Sequence, residues 1–295
     1  MKLSIITVTW NVKALAEKML SSLFLYLKDI DFEVILVDNE SKDSTVNFLT
    51  EKFKDEIASG KLKILANDFN AGFSKGNNQG LKIASGEYVL FMNPDMEVLD
   101  AGLEKLFVKF ENENIGIVGC KLVYADKTIQ KSVKGEPGLG NQLLVLSKLH
   151  HWLHGLNCLK RFLRTDFDYD KEQEVSQIMG AFILMRKDFL KSLNGWNEDF
   201  WLMWDDVDLC QRVRLAGKKI VYSSDATVIH YESQCFAQVP SLNKQKRFNR
   251  GMLIYFKKYK PFWQYCVLLL MQPVSYSLAF ISQTLKIKQR PQSRI

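Results

Sequence analysis

Cysteine is sparse and unpatterned in this chain. Five are present (Cys120, Cys158, Cys210, Cys235, Cys266), with no C-x-x-C spacing. That excludes a zinc-finger arrangement or a disulfide framework and reads as reduced thiols of a cytoplasmic protein. The opening stretch "KLSIITVTW" is too short and too β-branched for a secretory signal and runs straight into the fold. There are no internal repeats and no low-complexity tract. The one Gly/Asn-rich stretch, "NDFNAGFSKGNNQG" from Asn67 to Gly80, is neither G-x-G-x-x-G nor a Walker loop, which argues against a dinucleotide fold and a P-loop NTPase. No nucleic-acid recognition motif is found, so no nucleic-acid partner is expected.

The 295 residues are 47% hydrophobic, enough for one large domain or two modest ones. Charge is unevenly spread. Between Lys218 and Arg294, 13 Lys/Arg face 2 Asp/Glu, a local charge of +11 in a chain whose net charge is +7. A basic C-terminal third points to an anionic partner such as a membrane surface or a phosphorylated substrate.

The first half alternates strand-like and helix-like runs. "LSIITVTW", "FEVILVDN", "LKILAN", "EYVLFMN" and "IGIVGCKLVY" read as strands; 14–27, 44–53, 75–84 and 101–110 read as the helices between them. Continuous apolar strands alternating with helices predict an α/β fold with a mostly parallel sheet covered on both faces. Ligands of such sheets sit beyond the carboxyl ends of the strands. Polar residues gather at those ends: Thr9 and Asn11, then Asp38 and Asn39, then Asn67 to Asn70, then Asn93 and Asp95. Four such ends predict one shared polar site. Further on, "GEPGLG" breaks the chain, and 141–164 has near-helical apolar spacing with basic residues interspersed.

Within this pattern, Asp38 suits a base N–H or ribose hydroxyls, while Asn39, Ser41 and Asp43 are also helix-cap candidates. The Gly/Asn-rich loop is either a phosphate-facing connection or a polar turn with Gly72 and Gly76 at special dihedrals. Asp95, fixed by Pro94 at the end of a buried strand, is placed to bind a hard divalent cation with Asn93 beside it. His230 in "VIHYES" is a candidate second metal ligand. In "NEDFWLMWDDVDLCQRVRLAG", Asp205, Asp206 and Asp208 precede an apolar-periodic helix. Three carboxylates exceed what a helix cap requires, and their crowding can raise one pKa and prepare a general base. Trp196, Trp201 and Trp204 offer flat surfaces for sugar rings.

As an ordered set, "SIITVTWN", "ILVDNESKD", "NAGFSKGNNQG", "FMNPDMEV", "GWNEDFWLMWDDVDLCQRVRLAG" and "VIHYES" resemble the inverting family-2 glycosyltransferases of the GT-A fold, especially the bacterial rhamnosyltransferase-like branch. The resemblance covers about residues 3–233. It implies that Thr9, Asn11, Asp38, Asn39, Ser41, Asn70, Gly72, Phe73, Asn77, Asn93 and Asp95 hold the nucleotide-diphospho-sugar. It further implies that Asp95 binds Mg²⁺ or Mn²⁺ and that Asp206 is the general base; from their positions, His230 is the expected second metal ligand and Trp201, Trp204 and Asp205 are expected to face the acceptor. The sequence departs from the family at Asn93, which stands at the first position of D-x-D, and at Asp205, which stands where the family has Glu.

The expected layout is a GT-A domain over 1–235, with a nucleotide-sugar half (1–125) and an acceptor half (126–235). A helical, membrane-associating extension follows over 236–295. Phe262 to Leu285 has no charged residue and lies between basic flanks; its polar residues and Pro273 favour an interfacial hairpin over a span. The expected activity is metal-dependent, inverting transfer of L-rhamnose from dTDP-rhamnose, or a hexose from a UDP-sugar, to a lipid-linked saccharide. The setting would be surface polysaccharide or O-antigen synthesis at the inner face of the plasma membrane. A polyprenyl-diphosphate-linked acceptor, the anionic membrane surface and a second copy of the chain are the expected partners. A sugar-nucleotide nucleotidyltransferase and a non-catalytic sugar-binding module are the alternatives. Against the first, "WNVKALAEKML" follows strand one where a Gly-rich basic loop belongs; against the second, Asp206 is retained.

Overall fold

The computed structural model describes residues 1–153, 155–232 and 238–285; Cys235 and the basic tail after 285 lie outside them. The first four strands and the helices between them are built as the sequence predicts. Strands β1 (Leu3–Thr9), β2 (Phe32–Asn39), β3 (Leu62–Asn67) and β4 (Tyr88–Met92) are parallel, in the spatial order β3-β2-β1-β4. Helices α1 (Lys13–Tyr26), α2 (Thr45–Lys52), α3 (Lys54–Ala58) and α4 (Phe73–Ile83) connect them. Successive strand residues point to opposite faces, so both faces of β1, β2 and β4 need apolar cover. Ile5, Val34, Leu36 and Leu90 pack with Met19, Leu20 and Leu23 of α1 on one side. Ile6, Ile35, Val37, Val89 and Phe91 face Leu81 of α4 and Trp196 on the other.

Beyond β4 the sheet becomes mixed. It continues β4-β10-β6-β11-β5, where β5 is Met96–Val98, β6 is Ile115–Val123, β10 is Phe182–Arg186 and β11 is Lys219–His230. β10 runs antiparallel to both β4 and β6, β11 is parallel to β6, and β5 is antiparallel to β11. The segment 101–110, expected as an α-helix, is a 3₁₀ helix over Ala101–Glu111, capped where Asp100 Oδ1 accepts from Gly102 N at 2.7 Å. β8 (Gln173–Val175) adds to β11, and β7 (Val133–Lys134) pairs with β9 (Gln177–Ile178) as a separate ribbon. The region 141–164 is broken into α5 (Leu139–Leu146), a short 3₁₀ turn and α6 (Asn157–Leu163). Helices α7 (Lys187–Ser192) and α8 (Asp205–Leu215) follow.

The C-terminal helices are α9 (Ser241–Tyr259), α10 (Phe262–Leu270) and α11 (Gln272–Thr284), and the first two share a third core with α5 and the turn before α8. Leu146, Phe200, Trp204, Met252, Tyr255, Phe256 and Leu268 form it. Pro273 sits in the first turn of α11, where its missing N–H costs nothing. Among the described residues no single helix is long and apolar enough to cross a membrane; α10 and α11 reach that only as a pair bent by 40°.

Candidate active site

In the order β3-β2-β1-β4 the connections reverse direction across β1, and the carboxyl ends of β1, β2 and β4 open onto a common crevice. Parallel register sets Thr9 beside Asp38, and Asn39 beside Asn67. The loops beyond are pinned to one another. Asn11, at φ 52°, donates its N–H to Ser41 Oγ at 2.8 Å and accepts Lys42 N–H through Oδ1 at 2.6 Å; Ser41 N–H donates to Asp38 Oδ2 at 2.8 Å. Asp43 receives the N–H groups of both Lys13 and Thr45, so Ser41 and Asn39 are not needed as caps. Asn39 Nδ2 instead donates to Gly72 O at 3.1 Å. Thr9 Oγ1, Asp38 Oδ1 and Ser74 Oγ are buried and find no hydrogen-bond partner among the described residues. Such orphaned polar atoms at strand ends suit a polar ligand.

The Gly/Asn loop is a tight connection. Gly72 has φ 86°, and a Cβ there would lie 2.5 Å from Trp201 O; only glycine combines that conformation with that approach. Gly72 N–H donates to Asn70 Oδ1 at 3.1 Å, Phe73 N–H to Trp201 O at 2.7 Å, and Asn77 Nδ2 to Phe73 O at 3.1 Å. Phe73 packs edge-on against the buried Trp196 at 5.3 Å.

Asp95 and His230 meet because β4 ends at Met92 and the chain turns directly into β5, which pairs antiparallel with the end of β11. Met96 lies opposite His230 in that register. His230 Nε2 is 3.3 Å from Asp95 Oδ1, and both side chains are almost fully buried. On the ring's far side, Nδ1 lies 2.8 Å from Gln130 Oε1. Both ring nitrogens therefore face polar side chains, Nδ1 the Gln130 amide and Nε2 the Asp95 carboxylate. Nε2 makes no hydrogen bond. A ring nitrogen facing a carboxylate oxygen, with the other ring nitrogen braced by a side-chain amide, is a pair of donor types that divalent cations accept. Among the described residues no group of three or more His, Cys, Asp or Glu is gathered, so this pair suits an ion whose other ligands come from a diphosphate and water. Asn93 is fixed by its backbone N–H to Ala181 O at 2.9 Å, with its side chain half-buried beside the crevice.

Because β10 runs opposite to β4, its leading turn lies at the same end of the sheet, with Phe182 opposite Met92. There Gly180 N–H donates to Asp206 Oδ2 at 2.9 Å, and Val207 N–H donates to Oδ1 at 2.8 Å. None of the three aspartates supplies a side-chain cap to α8. They have three different environments. Asp208 is fully buried and bound by Arg212 Nε at 2.6 Å, Tyr259 Oη at 2.7 Å and Lys258 Nζ at 3.3 Å, so it fastens α9 to α8. Asp205 is buried, and burial first, then the charge of Asp206, holds its carboxyl well above the usual range. Asp206 keeps part of its surface open. Burial raises its pKa, opposed by the Gly180 and Val207 N–H groups and the positive charge of Lys134. The turn before them, Met203 and Trp204, has two successive non-glycine residues at positive φ, 70° and 67°, backbone strain of the kind found at functional turns.

Residues 4–193 match the model of glycosyl transferase family 2. The chain belongs to that family. Over 236 residues it is 29% identical to the O-antigen biosynthesis protein RfbC of Myxococcus xanthus, covering 79% of this chain and 17% of that one. Over 253 residues it is 23% identical to N-acetylglucosaminyl-diphospho-decaprenol L-rhamnosyltransferase of Mycobacterium tuberculosis, covering 81% and 79%. The fold is GT-A. A mannosyltransferase of Pyrobaculum calidifontis, solved with GDP-Man and Mn²⁺, superposes with a TM-score of 0.59 at 15% identity, covering 98% of this chain and 76% of that chain. S. aureus TarS residues 1–349 in complex with UDP-GlcNAc superposes at 0.56 with 20% identity, covering 98% and 76%.

This glycosyltransferase departs from the sequence reading at its tryptophans. Trp196 and Trp204 are 1% and 5% exposed; Trp204 packs among Phe248, Tyr255 and Phe256, so no face of it is open to an acceptor. Trp201 is half-exposed, but Arg247 stacks over its ring at 4.0 Å. A cleft of about 290 Å³ opens here, lined by Asp199, Trp201, Arg247 and Arg250 among others. Gln130, Gly180 and Lys134 join the site with no sequence signal that reading one chain can supply. Gln130 lies 100 residues from the histidine it holds.

Proposed function

We propose that this family-2 glycosyltransferase is an inverting, divalent-metal-dependent enzyme that transfers one sugar from a nucleoside diphosphate to a hydroxyl of a lipid-linked saccharide during surface polysaccharide or O-antigen assembly. The supporting observation is spatial. The β1 and β2 ends with their unpaired Thr9 and Asp38 oxygens, the Asp95–His230 pair, and the partly open Asp206 lie at one end of one sheet. L-Rhamnose from dTDP-rhamnose is the first donor to test, favoured by Asn93-Pro94-Asp95 and by the rhamnosyltransferase relative; UDP-hexoses come second. A polyprenyl-diphosphate acceptor places the enzyme at the inner face of the plasma membrane.

The mechanism follows from the charges. Thr9, Asn11, Asp38 and Asn39 hold base and ribose, while the Asn70–Asn77 loop backs the phosphates. Asp95 and His230 would hold Mg²⁺ or Mn²⁺, which would supply positive charge against the negative charge growing on the departing diphosphate. Asp206 accepts the acceptor's hydroxyl proton as that oxygen forms its bond to the anomeric carbon. The bond from that carbon to the diphosphate breaks on the opposite face. The two N–H donors keep Asp206 aimed, while its raised pKa makes it a stronger base than an ordinary aspartate. The test is nucleoside diphosphate release across dTDP-, UDP- and GDP-sugars with and without Mn²⁺ or Mg²⁺. One preferred donor whose turnover chelator abolishes supports the reading; no binding of any donor with metal present refutes it.

A further inference from the structure

A second basic cavity lies away from the crevice, at the ends of α6 and of the β7–β9 ribbon. It has a volume of about 450 Å³ and is lined by Lys160, Arg161 and Arg164, with Gly135 and Ser176 from the ribbon's edges. Asp166 is the one carboxylate in its wall, and it is exposed. Among the described residues Lys160, Arg161 and Arg164 form no ion pair; Arg164 is steadied by the Phe167 ring at 5.0 Å. The cavity is tightly framed. Gly135 N–H donates to Phe162 O at 2.7 Å, and a Cβ on Gly135 would lie 2.3 Å from Arg161 O. Three cations held together with one carboxylate call for an anion with several oxygens, and guanidinium pairs favour phosphoryl groups.

The residues that adjoin this cavity along the chain narrow the choice of anion. Immediately before α6, Leu149, Trp152, Leu153 and Leu156 are 47%, 83%, 41% and 43% exposed, an apolar ridge that water does not favour. On the other side, Gly135 and Ser176 are the chain neighbours of Lys134 and Gln177, which pair across the ribbon. Lys134 lies close enough for its charge to act on Asp206, and three residues after Gln177 the Gly180 N–H holds the Asp206 carboxylate. Along the chain and across the ribbon, the apolar residues connect to the cationic cavity and the cavity's edges connect to the residues around Asp206.

We propose that the Lys160–Arg161–Arg164 cavity is the acceptor's diphosphate subsite, binding an alkyl diphosphate whose hydrocarbon lies along Leu149, Trp152, Leu153 and Leu156 and whose saccharide reaches Asp206. This rests on the transferase reading given above. It makes the diphosphate, in addition to the sugar, a recognition element, so the enzyme discriminates against the same saccharide carried on a neutral aglycone. Bilayer headgroups share the phosphoryl chemistry, and the test separates the two.

The test measures binding of farnesyl diphosphate, farnesol and inorganic pyrophosphate to the full chain by calorimetry, alongside flotation with anionic vesicles. The wild type is expected to bind farnesyl diphosphate at least tenfold tighter than either fragment. Lys160→Ser/Arg161→Ser/Arg164→Ser is expected to lose that preference, and Arg164→Ser alone to lose part of it, both with wild-type melting temperatures. Trp152→Ser is expected to weaken farnesyl diphosphate but leave pyrophosphate unchanged. Equal binding of farnesyl diphosphate by wild type and both cation variants overturns the proposal. So does a wild type that floats with anionic vesicles, through these three cations, yet ignores farnesyl diphosphate. If the wild type binds farnesyl diphosphate but no nucleotide-sugar, the transferase reading fails and the diphosphate site stands.

Discussion

At the scale of single residues, the site separates carboxylates of one chemical type by environment. Asp208 is spent on Arg212, Lys258 and Tyr259, Asp205 is driven toward its neutral form, and only Asp206 is both basic and accessible. Its raised pKa gives a signed expectation. The base must be ionised to accept a proton, so kcat/KM falls on acidification through a pKa above that of an ordinary aspartate, and is level above it. A profile still flat at the ordinary aspartate value contradicts this. The Asp95–His230 pair gives another. If the pair holds the metal as proposed, His230→Ala is expected to weaken Mn²⁺ binding roughly 10- to 100-fold, while Gln130→Ala, which only frees the ring, costs less. Titration of Mn²⁺ by its paramagnetic signal checks both, and unchanged affinity in His230→Ala removes the histidine from the site. The placement of these carboxylates, though not their roles, was legible in the sequence. Asp38, Asp95 and Asp206 stand at ends of apolar runs or at a helix start, where few side chains have a structural reason to be charged. Trp204 was misjudged because an aromatic beside a carboxylate cluster looks alike whether it faces solvent or α9.

At the scale of elements, apolar runs located β1 to β4 closely because strands covered on both faces leave no alternation to misread. The antiparallel insertion of β10 and the short β5 were illegible. Direction leaves no trace in an apolar pentapeptide, and three residues are too few for a pattern. Both matter, since β10 delivers Gly180 to Asp206 and β5 delivers Asp95 to His230. The opposite end of the sheet holds a buried acid that sequence patterning would place in error. Glu33 is fully buried at the start of β2, bonded by Ser4 Oγ at 2.8 Å, Ser85 N at 2.7 Å and Lys63 Nζ at 2.6 Å. Burial alone would raise its pKa, but the bonds from Lys63, Ser85 and Ser4 together lower it to about 2. Its contribution is therefore complete above the unfolded glutamate value and is lost as pH falls toward about 2. Glu33→Gln is expected to lower stability at neutral pH by about 2–3 kcal/mol and to flatten the acid limb of a urea-denaturation series. A variant as stable as the wild type at pH 7 would show that the network contributes nothing net.

At the scale of the whole molecule, the transferase core carries a third layer, α9 to α11, fastened through Asp208 and through the cluster around Trp204 and Tyr255. Basic composition announced this region, but its docking on α8 could not be read from it. Its outer side leaves Phe262, Trp263, Leu270 and Phe280 more than half exposed. We expect this side to rest on anionic lipid. Trp263→Ser/Leu270→Ser/Phe280→Ser should then lose roughly tenfold or more in vesicle partitioning, each apolar anchor contributing on the order of 1 kcal/mol. Equal flotation of wild type and variant would refute the lipid contact without touching the chemistry. The central claim is that Asp206 is the base of a sugar transfer at the strand ends, and one comparison tests it most directly. Acceptor-dependent nucleoside diphosphate release is measured for the wild type and Asp206→Asn, with donor affinity measured on the same samples. The account predicts a loss of roughly 10²- to 10⁴-fold in turnover with donor affinity preserved. Turnover within a few-fold of the wild type would mean that another group takes the proton.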